Sequence, residues 1–263
     1  METKGRRLDT LMVERGLAET RSRAQGLILA GAVRVGDRVV TRAGSRFPPD
    51  QPLSVIQGNR FVSRAGEKLD AALDDFGIDA NGRPCLDAGA STGGFTDVLL
   101  KRGARRVLSV DVGYGQLDWS LRQDPRVTVL ERTNVRHLNG ADLPFGPDLL
   151  VADLSFISLA VALRTLLSTT PSIREAVVLV KPQFEAGPAL VGRGGVVDDP
   201  GVRARVVLDV VGSFAGFGFG AVDLAPAAVT GRKSGNQEYP LRLLRDAAVA
   251  LDEERVGEVV ARA

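Results

Sequence analysis

The chain has 263 residues and a formal net charge of +2, with one cysteine, Cys85, and one histidine, His137. Single residues of these types exclude a disulfide framework, a metal site built from cysteine and histidine, and a cysteine–histidine nucleophilic pair. Its apolar runs are too short to span a membrane and its first residues lack a signal-peptide core, so we expect a cytoplasmic protein.

The positive charge is concentrated in the first 60 residues. They contain 11 Lys and Arg against 6 Asp and Glu, whereas residues 61–263 contain 23 against 26. This asymmetry favours a basic module that binds a polyanion, joined to a body with another task. An ordinary solvated surface rich in arginine is the alternative interpretation.

The spacing of apolar residues in the basic module predicts two short helices and a hairpin. The first helix contains Leu8, Leu11 and Met12, and the second runs from about residue 20 to residue 30. Residues 33–40 predict a β-hairpin with its turn at Gly36 and Asp37.

Specific motifs follow one another through this module. They are Arg7-Leu8-Asp9, Ser22-Arg23-Ala24, Leu27-Ile28, Gly31, Val33, Val35 and Gly36. Their order resembles the S4 RNA-binding domain over roughly residues 6–56. The resemblance implies RNA phosphate contacts by four arginines, namely Arg7, Arg21, Arg23 and Arg34. Any one of them alone is more typical of an ordinary surface arginine than of a specific RNA contact.

Beyond the basic module, apolar runs alternate with helical stretches, a pattern typical of a parallel sheet covered on both faces. We predict strands near residues 84–87, 106–111, 126–130, 148–152 and 176–181, with more sheet near 221–229 and 238–244. We therefore expect an RNA-binding domain at 1–58, a linker at 59–63 and an α/β domain at 64–263.

The first strand of the body runs into a glycine-rich turn, Asp87-Ala88-Gly89-Ala90-Ser91-Thr92-Gly93-Gly94-Phe95, which opens a predicted helix. Such a turn lets the backbone approach a nucleotide cofactor at the carboxyl edge of a sheet. Its glycine spacing differs from the dinucleotide-binding fingerprint, which argues against an NAD-dependent oxidoreductase. The acid within the turn favours a cationic partner such as S-adenosylmethionine. An ordinary strand-to-helix turn is the alternative.

Four predicted strands end in polar residues: Asp87, Asp111, Asp153 and Lys181. Asp111 has the position of an acid that binds the ribose hydroxyls of a nucleoside. Each acid taken alone could equally be a helix cap or part of a surface ion pair.

Lysine is rare in this chain, which has 29 arginines and five lysines. Lys181 directly follows five apolar residues, where burial favours a neutral amine, and a guanidinium cannot lose its proton in this way. Lys181 is therefore a candidate general base. Lys68, near the start of a predicted helix, and Glu238, in a loop before a strand, carry little weight alone.

Together, Lys68, Asp153, Lys181 and Glu238 resemble the K-D-K-E tetrad of ribose 2′-O-methyltransferases of the FtsJ/RrmJ type. Further motifs lie at residues 62–69, 86–96, 111–117, 152–158 and 180–185. With them, the chain resembles the TlyA (haemolysin A) family of ribosomal RNA methyltransferases over most of its length. Phe61 and Ala65 depart from the residues common in that family.

The resemblance implies an α/β fold with a Rossmann-like class I methyltransferase sheet, helices on both faces, and a preceding small α+β S4-like RNA-binding domain. It implies methyl transfer from S-adenosylmethionine to a ribose 2′-hydroxyl, with cytidine in the ribosomal RNA of ribosomal subunits as the acceptor. The chemistry requires no metal, and without a spanning segment we expect no stable membrane association; the oligomeric state stays open. The implied cofactor contacts are Asp87, Gly89, Ala90, Ser91, Gly93, Gly94, Phe95, Asp111, Val112, Asn134 and Asp153.

Methyl transfer to a ribose hydroxyl needs a base and in-line positioning, because the hydroxyl does not ionise at neutral pH. We expect Lys181 to be that base, with Lys68 opposing its protonation and with Asp153 and Glu238 orienting both amines. A rival assignment makes Lys68 the group that orients the substrate and Asp153 the direct partner of Lys181.

Two other functional classes stay open at this point. One is a membrane-active haemolysin, although the chain has no predicted spanning segment. The other is a non-catalytic RNA-binding protein that binds the cofactor as a structural or regulatory ligand. The glycine-rich loop at 187–200 is either a substrate lid or RNA-contacting loop, or a plain connector.

Overall fold

The computed structural model describes residues 5–55, 60–192, 194–229 and 235–263. Contacts between Cα atoms divide the chain into two compact units, residues 1–60 and 61–263. The predicted linker at 59–63 begins at Asn59, which lies outside the described residues. Its last three residues belong to the larger unit, where Phe61 is 4% exposed and the amide of Val62 donates to Asp97 Oδ2 at 2.9 Å. Phe61 and Val62 are therefore packed within the larger unit.

The described part of the smaller unit contains two helices and five short strands. They are β1 (Arg6–Arg7), α1 (Leu8–Glu14), α2 (Arg21–Leu29), β2 (Val33–Val35), β3 (Arg38–Val39), β4 (Arg46–Phe47) and β5 (Leu53–Val55). Strand β2 pairs antiparallel with β3 and β5, and β1 pairs with β4. Thr20 is the N-cap of α2, because its side chain accepts a hydrogen bond from the amide of Arg23. The two predicted helices and the hairpin at Gly36 are confirmed.

The larger unit is built on a seven-stranded sheet in the order β11-β12-β10-β9-β6-β7-β8. Its strands are β6 (Pro84–Ala88), β7 (Arg106–Val110), β8 (Val127–Leu130), β9 (Leu149–Ala152), β10 (Glu175–Val180), β11 (Phe219–Leu224) and β12 (Tyr239–Arg245). The five strands from β6 to β10 are parallel, as predicted, whereas β12 is antiparallel to both of its neighbours. The sheet is therefore mixed. No helix occurs among the described residues between β11 and β12, and an antiparallel neighbour needs no crossover helix.

Helices cover both faces of this sheet. They are α3 (Ala65–Asp75), α4 (Gly94–Lys101), α5 (Trp119–Arg122), α6 (Leu159–Thr169), α7 (Pro182–Glu185), α8 (Pro200–Ala215) and α9 (Glu253–Ala261). Because a strand is pleated, successive side chains point to opposite faces of the sheet. Leu86 and Leu150 pack with α6 and α8, whereas Cys85 and Val151 pack with α3 and α4. This architecture confirms the predicted Rossmann-like class.

An ion network crosses the sheet near the start of β10. Glu175 is 8% exposed and accepts hydrogen bonds from Arg83 Nη1 at 2.6 Å and from Arg242 Nε at 2.8 Å. Arg83 also pairs with Asp148, and Arg242 also pairs with Asp223. The network thus connects residues at or beside five strands of the sheet, and its buried carboxylate depends on two guanidinium groups.

Glu175→Ala should destabilise the larger unit, because it leaves two partly buried guanidinium groups without their shared carboxylate. Breaking a buried ion pair from one side costs on the order of 3–5 kcal/mol. Urea unfolding followed by circular dichroism measures this loss. The control is Glu258→Ala, which removes an exposed pair with Arg262 and should cost less than about 1 kcal/mol. Equal stability of the two variants would contradict the role given to Glu175.

Candidate active site at the carboxyl ends of the strands

The polar residues predicted at the strand ends lie at one edge of the sheet. The register pairs Ala88 of β6 with Val110 of β7 and with Ala152 of β9. Asp111 and Asp153 therefore follow β7 and β9, the two strands that flank β6, at the same level. Lys181 follows β10, which is the next strand on the other side of β9. Because these strands are parallel, residues far apart in the sequence converge at this edge.

Each of the two buried lysines has its own carboxylate. Lys181 Nζ lies 2.5 Å from Asp153 Oδ1 and donates a hydrogen bond to Ser155 Oγ at 3.0 Å. Lys68 Nζ donates to Glu238 Oε2 at 2.5 Å. The side chain of Lys181 is 10% exposed and that of Lys68 is 11% exposed. Asp153 is thus the direct partner of Lys181 and Glu238 that of Lys68, an arrangement that fits both assignments of the tetrad.

The pairing of β10 with β12 brings the two ion pairs together. Val180 lies opposite Tyr239, so the residues next to them, Lys181 and Glu238, are neighbours across the two strands. Lys68 reaches Glu238 from α3. Two amines and two carboxylates thus form one cluster whose charges balance, which is the condition under which buried charges are tolerated.

Two cavities meet beside this cluster. The large cavity, of about 570 Å³, is lined by Gly89, Ser91, Val110, Asp111, Val112, Gln116, Thr133, Asn134, Val135, Asp153, Leu154, Ser155, Phe156 and Ile157. The small cavity, of about 180 Å³, is lined by Ser63, Ala65, Gly89, Ala90, Ser91, Thr92, Gly94, Phe95, Asp153, Ser155 and Lys181. Both are lined by Gly89, Ser91, Asp153 and Ser155. Of the predicted cofactor contacts, Asp87 and Gly93 are absent from both linings.

The glycine-rich turn fits closely against the strand that precedes Asp153. Gly89 has φ +85°, and a Cβ atom there would lie 2.6 Å from the carbonyl oxygen of Asp153, so a side chain is excluded. Asp111 holds the turn from the other side, because its Oδ2 accepts from the amide of Ser91 at 2.8 Å and its Oδ1 from that of Gly113 at 2.6 Å. Both oxygens keep a second acceptor site.

Asp87 lies inside the protein beneath the turn. It is fully buried, and its Oδ2 accepts a hydrogen bond from Thr96 Oγ1 at 2.7 Å. Asp87 is buried because side chains alternate along β6, so that of Asp87 points toward α4 and away from the cavities. Burial raises the pKa of Asp87 to about 7; the hydrogen bond from Thr96 opposes this rise, and the charge of Asp153 adds to it.

Asp87→Asn should change how stability depends on pH. Between about pH 4, where an unfolded aspartate titrates, and about pH 7, folded Asp87 keeps a proton that the unfolded chain releases. The free energy of unfolding contributed by this group therefore falls as pH rises through that window, by at most about 1.4 kcal/mol per pH unit, and is constant above it.

The measurement is urea unfolding of the wild type and of Asp87→Asn from pH 5 to pH 9. The stability of the variant relative to the wild type should rise up to about pH 7 and then level off. Asp142→Asn, at an exposed position of the same unit, is the control and should give a flat difference. A flat difference for Asp87→Asn as well would contradict the raised pKa.

Asn236 is a buried residue of this region that sequence reasoning missed. It is 2% exposed; its Oδ1 accepts from the amide of Val197 at 3.0 Å and its Nδ2 donates to the carbonyl of Gly195 at 2.8 Å. These bonds tie the end of the 187–200 loop to the segment that carries Glu238. The only signal in the sequence was an amide two residues before the acid of the tetrad.

Asn236→Ala should loosen this connection, because the buried amide of Val197 loses its acceptor. A lost hydrogen bond of this kind costs about 1–3 kcal/mol, so exchange of the Val197 amide with solvent should accelerate by roughly ten- to a hundredfold. Hydrogen–deuterium exchange measures this rate. Gln237→Ala at the neighbouring half-buried position is the control and should leave the rate unchanged. Unchanged exchange in both variants would show that other contacts hold the loop.

An exposed aromatic residue lies on the rim of the large cavity. Phe156 is 89% exposed and has φ +65°, a conformation that is unfavourable for a bulky side chain. Its ring centroid lies 4.8 Å from that of Phe184. Strained backbone of this kind is concentrated at functional sites. The ring therefore offers a free aromatic face next to the lysine–carboxylate cluster.

The four arginines predicted to bind RNA have different surroundings in the smaller unit. Arg23 and Arg34 are exposed. Arg7 and Arg21 are hydrogen-bonded to the buried carboxylate of Asp9. Sequence reasoning noted Asp9 as part of a motif but did not identify this contact, because its donors come from three separate positions in the chain.

The burial of Cys85 and the length of the helices concern two other classes of function, a cysteine nucleophile and a membrane-spanning protein. Cys85 is fully buried, and burial raises the pKa of its thiol to about 12, which makes it a poor nucleophile. Across the ranges that the structure describes, we find no helix of the length and apolarity needed to span a membrane.

Both units of the chain match known protein families. A model of the FtsJ-like methyltransferases matches residues 61–243, and a model of the S4 domain matches residues 6–51. The chain is 47% identical over 259 residues to the 16S/23S rRNA (cytidine-2'-O)-methyltransferase TlyA of Mycobacterium tuberculosis, covering 98% of this chain and 96% of the relative.

Two further relatives extend this result. The 23S rRNA (cytidine-2'-O)-methyltransferase TlyA of Campylobacter jejuni is 34% identical over 180 residues, which cover 68% of this chain and 69% of the relative. A solved structure of a protein named as a hemolysin, from Streptococcus thermophilus, superimposes with a TM-score of 0.75 at 35% identity and covers 98% of this chain and 95% of its own.

Proposed function

Since the chain belongs to the TlyA family, which joins an S4 domain to an FtsJ-like methyltransferase domain, we propose that it methylates the ribose 2′-hydroxyl of a cytidine in ribosomal RNA. The proposed methyl donor is S-adenosylmethionine. The observation that carries the proposal is the meeting of two cavities at the buried pair of Lys181 and Asp153.

The large cavity suits the methyl donor. Its volume of about 570 Å³ lies in the range of cofactor pockets. Asp111, Asn134 and Asp153 supply polar groups for a nucleoside and an amino acid. When bound, S-adenosylmethionine supplies an electrophilic methyl group on a positively charged sulfur. The charges of Asp111 and Asp153 both raise the pKa of Asp87, so this edge of the sheet has an excess of negative charge that a cation relieves.

The small cavity suits the acceptor ribose, because Lys181 lines it together with Ser155 and Asp153. Methyl transfer requires that a proton leave the 2′-hydroxyl, and the amine of Lys181 can accept it once the ammonium paired with Asp153 has released its own proton to solvent. Asp153 and Ser155 orient Lys181 through the ion pair and the hydrogen bond. Lys68 and Glu238, paired with each other, hold the neighbouring strand end and balance the local charge.

Contacts to RNA come from two surfaces. The exposed ring of Phe156 gives a base of the target strand an aromatic face on which to stack. In the smaller unit, Arg7, Arg21, Arg23 and Arg34 supply positive charge for the phosphate backbone. The proposed partner is therefore ribosomal RNA within a ribosomal subunit.

Lys181→Arg should abolish methylation while leaving the fold and donor binding intact. Arginine keeps the positive charge next to Asp153 but cannot be deprotonated, so it removes only the proposed base. The loss of a general base lowers kcat by roughly 10²- to 10⁴-fold. The assay incubates tritiated S-adenosylmethionine with small and large subunits that lack endogenous modification, and then maps the label by nuclease digestion.

Three outcomes of this assay are distinguishable. Label on a ribose 2′-oxygen that disappears in Lys181→Arg supports both the reaction and the base. Label that persists would assign Lys181 a positioning role, and donor binding without label in the wild type would favour a binding protein. Lys101→Ala, at a lysine whose side chain is 51% exposed, is the control and should remain active. Separate subunits also assign the substrate range, in which the two named methyltransferase relatives differ.

A further inference from the structure

A buried carboxylate lies at the centre of the arginine-rich surface of the smaller unit. Asp9 is 0% exposed, in the first turn of α1. Its Oδ1 accepts from Arg7 Nε at 3.0 Å, and its Oδ2 accepts from Arg7 Nη2 at 2.9 Å, Arg21 Nε at 3.0 Å and Gln25 Nε2 at 2.8 Å. One carboxylate thus connects the start of α1 with α2.

The two guanidinium groups keep free donors on the side away from Asp9. Arg7 uses one N–H of Nε and one of Nη2, and Arg21 uses only Nε, so each has at least three N–H groups left. Their side chains are 39% and 56% exposed. Each arginine is therefore held along one edge while its outer edge faces solvent.

The charges in this cluster suit a single anion. Two guanidinium groups against one carboxylate leave one net positive charge. The hydrogen bond from Arg7 is the main cause that holds the pKa of Asp9 well below its usual range, against the effect of its burial. Asp9 is therefore ionised at neutral pH and keeps both arginines in place.

Fixed arginines differ in energetic terms from freely rotating ones. A long side chain loses rotamer entropy when it binds a ligand, and a side chain already held in one conformation loses less. Arg23 and Arg34 are exposed, and the described residues show no ion pair for either of them. Arg7 and Arg21 are thus preorganised, whereas Arg23 and Arg34 are not.

We propose that Asp9 is a positioning residue that fixes Arg7 and Arg21 as a binding site for one phosphodiester group of the RNA backbone. This proposal rests on the proposed RNA binding of the smaller unit and deepens it. On this proposal, the affinity of these two arginines for a phosphodiester group comes from their fixed geometry. An acidic residue is then necessary for binding a polyanion.

Asp9→Asn tests the proposal by the sign of its effect. The variant removes a negative charge, so charge alone predicts tighter binding and an unchanged or steeper dependence on salt. Positioning predicts the opposite. The amide is uncharged, and its NH₂ group takes the place of Oδ1 opposite the donor Arg7 Nε, so the arginines are held more weakly. We expect binding several-fold weaker, with a slope of log K against log salt that is shallower by about one.

The experiment uses the full chain and a fluorescein-labelled RNA hairpin, with anisotropy titrations over a range of salt concentrations. Asp37→Asn is the matched control, since it makes the same charge change at an exposed position of the same unit and should bind as tightly as the wild type or more tightly. Binding by Asp9→Asn equal to or tighter than that of the wild type would overturn the proposal. No binding by the wild type would instead refute the proposed RNA binding.

Arg21→Lys provides a second test in case Asp9→Asn does not fold. Arg21 is half exposed at the start of α2, so the substitution keeps the charge with little effect on packing. It removes the planar fork that joins Asp9 to a phosphate. Positioning predicts several-fold weaker binding, whereas charge alone predicts no change. Arg38→Lys, at an exposed arginine of the same unit that has no assigned role, is the control and should bind like the wild type.

Discussion

The candidate active site depends on the ion pair between Lys181 and Asp153. The side chain of Lys181 is only 10% exposed, so its positive charge depends on a nearby carboxylate for the stabilisation that water would otherwise give. Parallel strands β9 and β10 place the two residues side by side. Lys68 of α3 and Glu238, which precedes β12, form a second ion pair beside them. The site is therefore held by paired charges whose balance a proton transfer or a bound cation alters.

Both units use buried carboxylates to fix basic groups. Asp9 holds Arg7 and Arg21 in the smaller unit, and Glu175 holds Arg83 and Arg242 in the larger one. The surroundings decide what each arrangement does. Near Glu175 the guanidinium groups are about one-fifth exposed and connect strands, whereas around Asp9 they are more exposed and present donors to solvent.

The carboxyl edge of the sheet combines close backbone approach with negative charge. Gly89 lets the turn contact the carbonyl of Asp153, and Asp111 holds the same turn through the amide of Ser91. Asp87 supports it from below, where its hydrogen bond to Thr96 connects the turn to α4. This edge suits a cationic methyl donor, while the basic surface of the smaller unit suits an RNA backbone, so the two units serve opposite charges.

The sequence by itself determined most of the elements, because apolar periodicity, glycine spacing and polar residues that directly follow strands are local patterns. It proposed the four residues of the tetrad only through their resemblance to a family. Tertiary structure alone decided which carboxylate pairs with which lysine, that Asp87 faces α4, that β12 runs antiparallel, and that Asp9 and Asn236 each connect distant segments. The physical reason is that these contacts join residues up to 170 positions apart, whose approach depends on packing of the whole sheet and its helices.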